Sequence, residues 1–206
     1  MGAAPDFAAL RDAIRNVRAE ALERPELRNA AVLVPVVAKP AGFCMLFTQR
    51  SLHVDAHRGE ISFPGGAIDD GDASHAAAAL REAWEEVGLP PDAVEVLGEL
   101  SDIATRSGFL VRPVVGVVRS VWHWQPNQRE VAAIIEVPLT AIADPAAWKH
   151  VPRLYQERLI PGSYFEYGEH VVWGATARIL RQFAEVCFAE RFATGGDQWT
   201  LTPATR

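Results

Sequence analysis

Two cysteines are all that the 206-residue chain contains. Cys44 and Cys187 sit in the apolar stretches "FCMLF" and "AEVCFAE". They read as buried free thiols, and their number and spacing exclude a metal site built on cysteine pairs. Long apolar runs are missing as well, so no stretch is long enough to span a bilayer. The first residues, "MGAAPDFAALRDAIRNVRAEALERP", interrupt their apolar positions with charges and lack the continuous core of a signal peptide. A reducing, cytoplasmic compartment is the expectation, with no membrane partner. An excess of basic charge is the third absence: 20 Lys and Arg stand against 26 Asp and Glu, a formal net charge of −6. A general nucleic-acid binder needs basic patches to displace phosphate counterions, so that class is disfavoured. An anionic small molecule remains compatible if a metal supplies local positive charge.

What is present is ordinary in bulk. Hydrophobic residues make up 49% and charged residues 22%, and the length suits one domain with terminal additions. Phe7, Leu10, Ile14, Val17 and Ala21 recur at helical spacing, so residues 6–23 are expected as an amphipathic helix ended by Pro25. Its stripe reads as packing or a homodimer contact rather than a membrane anchor, because the polar face mixes acids and bases. Residues 1–29 are thus set apart from a main domain over 30–193. The tail 194–206 has turn residues and little periodicity, which suits disorder.

"AAVLVPVVA" and "GFCMLFTQR" read as strands around a "KPAG" turn, and "AVEVLGEL", "FLVRPVVGVV" and "EVAAIIEVPL" as further strands. A hairpin is expected around Gly168, and a last helix over residues 176–192. Residues 49–62 look like a polar, histidine-rich loop. The turn "FPGGAIDDGD" follows and cannot be regular structure for long. Strands mixed with a few helices point to an α/β or α+β sandwich around a mixed sheet.

Residues 73–87 read as a helix, capped by Asp72 or Ser74 and burying Ala76, Ala77, Leu80, Ala83, Trp84 and Val87. Gly88 suits the left-handed position past its end, and Pro90 forbids continuation. Glu82, Glu85 and Glu86 crowd its last turn, where the helix already carries partial negative charge. Proteins keep such a conflict mainly at functional sites. Clustered carboxylates behind a glycine-rich turn suit a hard divalent cation, which takes oxygen ligands and shares its shell with substrate phosphates. Arg81 can hold one of the carboxylates by a charge-assisted hydrogen bond.

"GGAIDDGDASHAAAALREAWEEVGL" resembles the Nudix box, a glycine, a glutamate and then Arg-Glu-x-x-Glu-Glu-x-Gly. Arg81, Glu82, Glu85, Glu86 and Gly88 match it position for position. The box's first glutamate falls on Ala73 and its first glycine on Ala67, with Asp72 and Gly66 as the nearest substitutes through one inserted residue. "LFTQRSLHVDAHRGEISFPGG", residues 46–66, is similar to the signature of coenzyme A pyrophosphatases in that superfamily, except that Asp55 stands where arginine is expected. "NQREVAAIIEVPL" and "HVVWGATARIL" resemble the family's later segments.

The resemblance implies an α/β/α sandwich around a mixed β-sheet. It also implies Mg²⁺- or Mn²⁺-dependent hydrolysis of a pyrophosphate bond in a nucleoside diphosphate. For coenzyme A the products would be 4′-phosphopantetheine and adenosine 3′,5′-bisphosphate. Hydrolysis of ADP-ribose or a dinucleotide such as NADH is the alternative within the class, and a nucleotide sensor without turnover the alternative outside it. Glu82 and Glu86 are the expected metal ligands, with Glu85 as a third ligand or the base and the Gly66 carbonyl completing the shell. Glu130 is a second candidate base, and Arg81 belongs to the catalytic set. Arg50, Ser51, His53, His57, Arg58 and Gly65 are expected at the substrate. Trp122 and Trp124, alternating in "VWHW", fit aromatics that pack or cap a sheet edge better than ones that stack on a base.

Overall fold

In the computed structural model, residues 6–51, 59–119, 122–150, 153–155, 158–160 and 162–192 are described. Their elements run α1 (Phe7–Arg15), β1 (Arg28–Lys39), β2 (Gly42–Arg50), β3 (Ile61–Ser62), β4 (Gly65–Ala67), α2 (His75–Val87), β5 (Val94–Glu99), β6 (Ile103–Ala104), β7 (Phe109–Val118) and β8 (Val131–Pro138). There follow α3 (Leu139–Ile142), β9 (Trp148–His150), β10 (Arg153–Tyr155), β11 (Arg158–Ile160), β12 (Ser163–Tyr167), β13 (His170–Val172), α4 (Gly174–Cys187) and α5 (Ala189–Phe192).

β1, "RNAAVLVPVVAK", is apolar along nearly its whole length because both of its faces are covered. Alternation along the strand sorts its side chains into two cores. Ala31, Leu33 and Val37 join Ala78, Ala79, Ala83 and Val87 of α2. Ala30, Val34 and Val36 join Leu10 and Ile14 of α1 and Leu180 and Phe183 of α4. Helices therefore lie on both sides of one sheet, the expected α/β/α arrangement. β1 runs parallel to β7 and antiparallel to β2 and β4, so the sheet is mixed.

One feature of this sheet builds the site. β1 and β2 pair only between Val36–Lys39 and Gly42–Met45. Toward the other ends the two strands part. β4 takes β1's vacated edge at Ala30–Val32, and β3 takes β2's at Thr48–Gln49. Residues 61–67 thus fill a fork in the sheet, and the glycine-rich turn carries three residues of strand there.

Three expectations are corrected. The first helix ends at Arg15, not near residue 23, because Asn16 closes it with backbone and side-chain bonds to the Asp12 carbonyl. The segment after it is a strap: the Glu20 and Leu22 amides donate to the Ser101 hydroxyl and the Asp102 carboxylate. The buried stripe of α2 is rotated from the expected one. Ala78, Ala79, Ala83, Glu86 and Val87 are buried, while Trp84 is 52% exposed. Small residues let the helix lie close to the sheet, and that turns Glu86 inward. Finally, the last helix stops at Cys187, with α5 a separate turn. Among the described residues no helix is long and apolar enough to cross a membrane.

Candidate functional site

The turn before α2 and both helix ends are fixed by local chemistry. Ser74 is the cap, its hydroxyl accepting from the Ala77 amide at 3.1 Å. Gly88 closes the helix at φ 69°, a left-handed conformation that suits glycine. Asp72 has a different task. It receives Arg81 in a two-pronged bond, Nε to Oδ1 at 3.1 Å and Nη2 to Oδ2 at 3.0 Å. Arg81 also donates to the Ala67 carbonyl at 3.1 Å and to Glu82 Oε1 at 3.0 Å. Its guanidinium is thereby tied to protein acceptors, fastening the turn to the helix and aiming Glu82.

Glu82 is pressed against the fork. A Cβ on Gly66 would lie 2.5 Å from Glu82 Oε1, so a larger residue there would push the Glu82 carboxylate out of its place. One turn on, Glu86 is 4% exposed and its Oε2 has no hydrogen-bond partner among the described residues. The positive charge of Arg50 and, more weakly, the nearby Gly65 amide favour its charged form. Burial nevertheless dominates and, with Glu82 and Glu130 nearby, pushes the Glu86 carboxyl up to about 8. Burial also raises Glu82, against the pull of Arg81, and Glu85 and Glu130 add to the rise.

The structure therefore brings together Glu82, Glu86, Gly65, Gly66, Arg50 and Glu130. Ser51 is buried beside them, its amide donating to the Glu130 carbonyl at 2.7 Å. Glu85 stands apart, its side chain 54% exposed and 3.6 Å from Arg81. His53, Asp55, His57 and Arg58 lie outside the described residues. Asn127 is a residue that sequence reasoning missed. Its amide caps the Glu86 carbonyl at 2.9 Å and its side chain donates to Glu130 Oε1 at 3.2 Å. It opens the segment "NQREVAAIIEVPL", yet a lone asparagine there signals only a turn, so the sequence attaches no role to it.

The NUDIX domain family matches residues 27–157. The chain belongs to that family. It is 44% identical over 158 residues to the Nudix hydrolase NudL of Salmonella paratyphi B, covering 76% of this chain and 81% of that protein. NudL of Salmonella newport matches to the same extent. Among solved structures, the Nudix hydrolase RenU of M. smegmatis aligns with a TM-score of 0.48 at 25% identity, over 56% of this chain and 73% of that one. DR0079 of Deinococcus radiodurans aligns with a TM-score of 0.49 at 18% identity, over 77% and 86%. The protein is thus a Nudix hydrolase, and enzymes of this family generally use divalent metal ions.

The residues present fit such an ion. A buried carboxylate oxygen without a partner costs roughly 1–3 kcal/mol, more when charged, and a cation removes that cost. Glu86 Oε2 is such an oxygen, and Glu82 faces the same glycine pair. Among the described residues no three His, Cys, Asp or Glu groups already converge on one point.

Proposed function

We propose that the protein hydrolyses the pyrophosphate bond of coenzyme A or its acyl derivatives, with Mg²⁺ or Mn²⁺, in a soluble cytoplasmic setting. The observation that carries the chemistry is the Glu82–Glu86 pair turned inward onto Gly65 and Gly66, with Glu86 Oε2 lacking a partner among the described residues. The choice of substrate rests on residues 46–66, similar to the coenzyme A pyrophosphatase signature.

Glu82 and Glu86 hold the divalent ion, and the Gly66 carbonyl adds a donor. When bound, that ion neutralises phosphate oxygens and the charge that develops as water attacks phosphorus. Arg81 is a positioning residue, since its donors are spent on Asp72, Ala67 and Glu82. Glu130 is better placed than Glu85 to take the proton of the attacking water. Both side chains are exposed, but the charge of Glu130 acts on both Glu82 and Glu86, whereas that of Glu85 acts on Glu82. Asn127 holds the Glu130 carboxylate against the last turn of α2. Arg50, at the end of β2, offers cationic charge to the substrate's phosphates, and His53, His57 and Arg58, close after it in sequence, are assigned to the same task.

A substrate panel of coenzyme A, acetyl-coenzyme A, ADP-ribose and NADH, with products identified by mass spectrometry, tests this reading. Release of 4′-phosphopantetheine and adenosine 3′,5′-bisphosphate is expected. Brisk hydrolysis of ADP-ribose with none of coenzyme A would overturn the substrate and leave the Nudix chemistry standing.

A further inference from the structure

Away from the glutamates, on the α2 side of the sheet, lies an open cleft of about 530 Å³ lined by Lys39, Trp122, His123, Trp124, Ile134 and Glu136. Its size is that of a small-molecule site. The two indoles are rigidly held. Trp122 Nε1 donates to the Gly88 carbonyl at 3.0 Å, and Trp124 Nε1 donates to Glu136 Oε1 at 2.7 Å. Both rings are half-buried against the α2 core, so with both N–H groups committed what they offer the cleft is the apolar surface left uncovered, and their fixed orientation spares the entropy of ordering them on binding.

The polar floor has a defined polarity. Lys39 Nζ reaches Glu136 at 2.6 Å, on the same Oε1 that Trp124 uses. Neither donor takes Oε2, and an ammonium has two further hydrogens. An acceptor thus stands beside a donor, next to aromatic faces. An acyl chain would cover this ion pair without satisfying it, which is unfavourable. A nucleobase satisfies both parts, because its face stacks on indole and its edge pairs a donor with an adjacent acceptor.

The cleft is also joined to the candidate metal site through one loop. Trp122 is fastened to the turn that ends α2, and the Gln125 and Asn127 amides then bond to the Val87 and Glu86 carbonyls. Two residues past Trp124, the chain turns at Pro126 toward Glu130.

We infer that the Trp122–Trp124 cleft binds an adenine ring, stacked on indole, with Glu136 Oε2 accepting from the exocyclic amine and Lys39 donating to a ring nitrogen. The adenine is that of the substrate or of a free adenine nucleotide. Only the choice of adenine among the bases rests on the proposed coenzyme A reading.

The test is titration calorimetry of the full chain with AMP in EDTA, where no turnover occurs. AMP should bind wild type, and ribose 5-phosphate should not. Trp124→Ala should weaken AMP by about tenfold or more, the range for losing one base–aromatic stack. Trp124→Phe, which keeps a stacking face, should stay within about threefold of wild type. Should Trp124→Ala fail to fold, Ile134→Trp fills the cleft from β8 and should block AMP equally. A parallel rise in KM for coenzyme A assigns the adenine to the substrate, and an unchanged KM assigns it to a free nucleotide. No AMP binding to wild type at millimolar concentration, or equal binding by every variant, overturns the inference. Because the titration reads binding without hydrolysis, loss of AMP binding and loss of coenzyme A turnover are separate results: the first overturns the cleft as a base site, and the second overturns the substrate while AMP binding still reports on the cleft.

Discussion

Two charge clusters touch the two ends of α2, one half-buried and one buried, and they are built on opposite terms. At the N-terminal end, Arg112 is 11% exposed and gives Asp102 a 2.6 Å bond from Nε and a 2.9 Å bond from Nη2, then Glu99 a 2.9 Å bond from Nη1. Glu99 meets His75, the first residue of α2, at 3.4 Å. The Leu22 amide adds a further donor to Asp102, so this cluster fastens strap, sheet and helix together. Burial alone would raise the Asp102 carboxyl, yet Arg112 and Leu22 hold it below its usual range. At the C-terminal end, Glu86 is more deeply buried, has an oxygen with no partner among the described residues, and has its carboxyl pushed up to about 8. Both hold charge away from bulk solvent, and what differs most is satisfaction. A saturated cluster is a fastener, while an unsatisfied one is poised for something that the chain itself does not supply.

The largest effect should come from breaking the fastener. Arg112→Ala leaves Asp102 buried without its partner, which costs about 3–5 kcal/mol for pairs of this kind. Urea unfolding should show that loss, with KM unchanged at temperatures where the variant stays folded. A loss below about 1 kcal/mol, the range of exposed pairs, would show the cluster to be replaceable by water.

Glu86→Gln should do the reverse. The shape is kept and a charged ligand is removed, so turnover should fall at least about a hundredfold, roughly 2.7 kcal/mol of transition-state stabilisation. Without metal the variant should melt higher than wild type. Near-normal turnover at saturating Mg²⁺ or Mn²⁺ would show that this carboxylate does not bind the ion.

The clusters also carry opposite pH dependence. Asp102 has a lowered folded pKa, so its contribution is present above the unfolded value and lost as pH falls through the folded one. Glu86 has a raised one, so the folded state keeps a proton that the unfolded chain releases. Between about pH 4.5 and about 8 the metal-free protein therefore loses up to roughly 1.4 kcal/mol per pH unit from this group. In EDTA, the melting advantage of Glu86→Gln over wild type should widen from pH 5 to pH 8. Divalent metal at pH 8 should raise the melting temperature of wild type and leave the Glu82, Glu85, Glu86 triple Gln variant unmoved. A gap that stays constant with pH would place the titrating group elsewhere.

Much of this is legible in the residues themselves. The long strands announce themselves through runs such as β1 and β7, and Gly88 with Pro90 marks the end of α2 by turn chemistry alone. Glu82, Glu85 and Glu86 stand out because their charge conflicts with the helix end. The rotation of α2 is not legible, since apolarity alone places Trp84 inside and Glu86 outside. Only the close approach of Gly65 and Gly66, a tertiary fact, makes the inward glutamate acceptable. Nor does periodicity report single residues whose role is one hydrogen bond, such as Asn127, or a strap such as residues 16–27 that is held through backbone amides.

Asp72 and Ser74 are the finest case, because from the sequence either serves equally well as the cap of α2. The structure gives them separate tasks, one on each side of the comparison. Ser74 satisfies a helix amide in solvent, so Ser74→Ala should cost about 1 kcal/mol in stability. Its turnover should be unchanged, because nothing it touches reaches Glu82 or Glu86. Asp72→Asn retains a hydrogen-bonding side chain but drops the charge facing Arg81, which also orients Glu82. Removing a partner that orients a ligand lowers metal affinity or activity by about 10–100-fold in well-studied metal sites, and a loss at the low end is expected here because Ala67 still holds Arg81. Melting curves and metal titrations of the two variants should therefore separate, one moving stability alone and the other metal affinity. If Ser74→Ala weakened metal binding as much as Asp72→Asn does, the helix start and the carboxylate cluster would be one mechanical unit, and the division between fastener and site would fail.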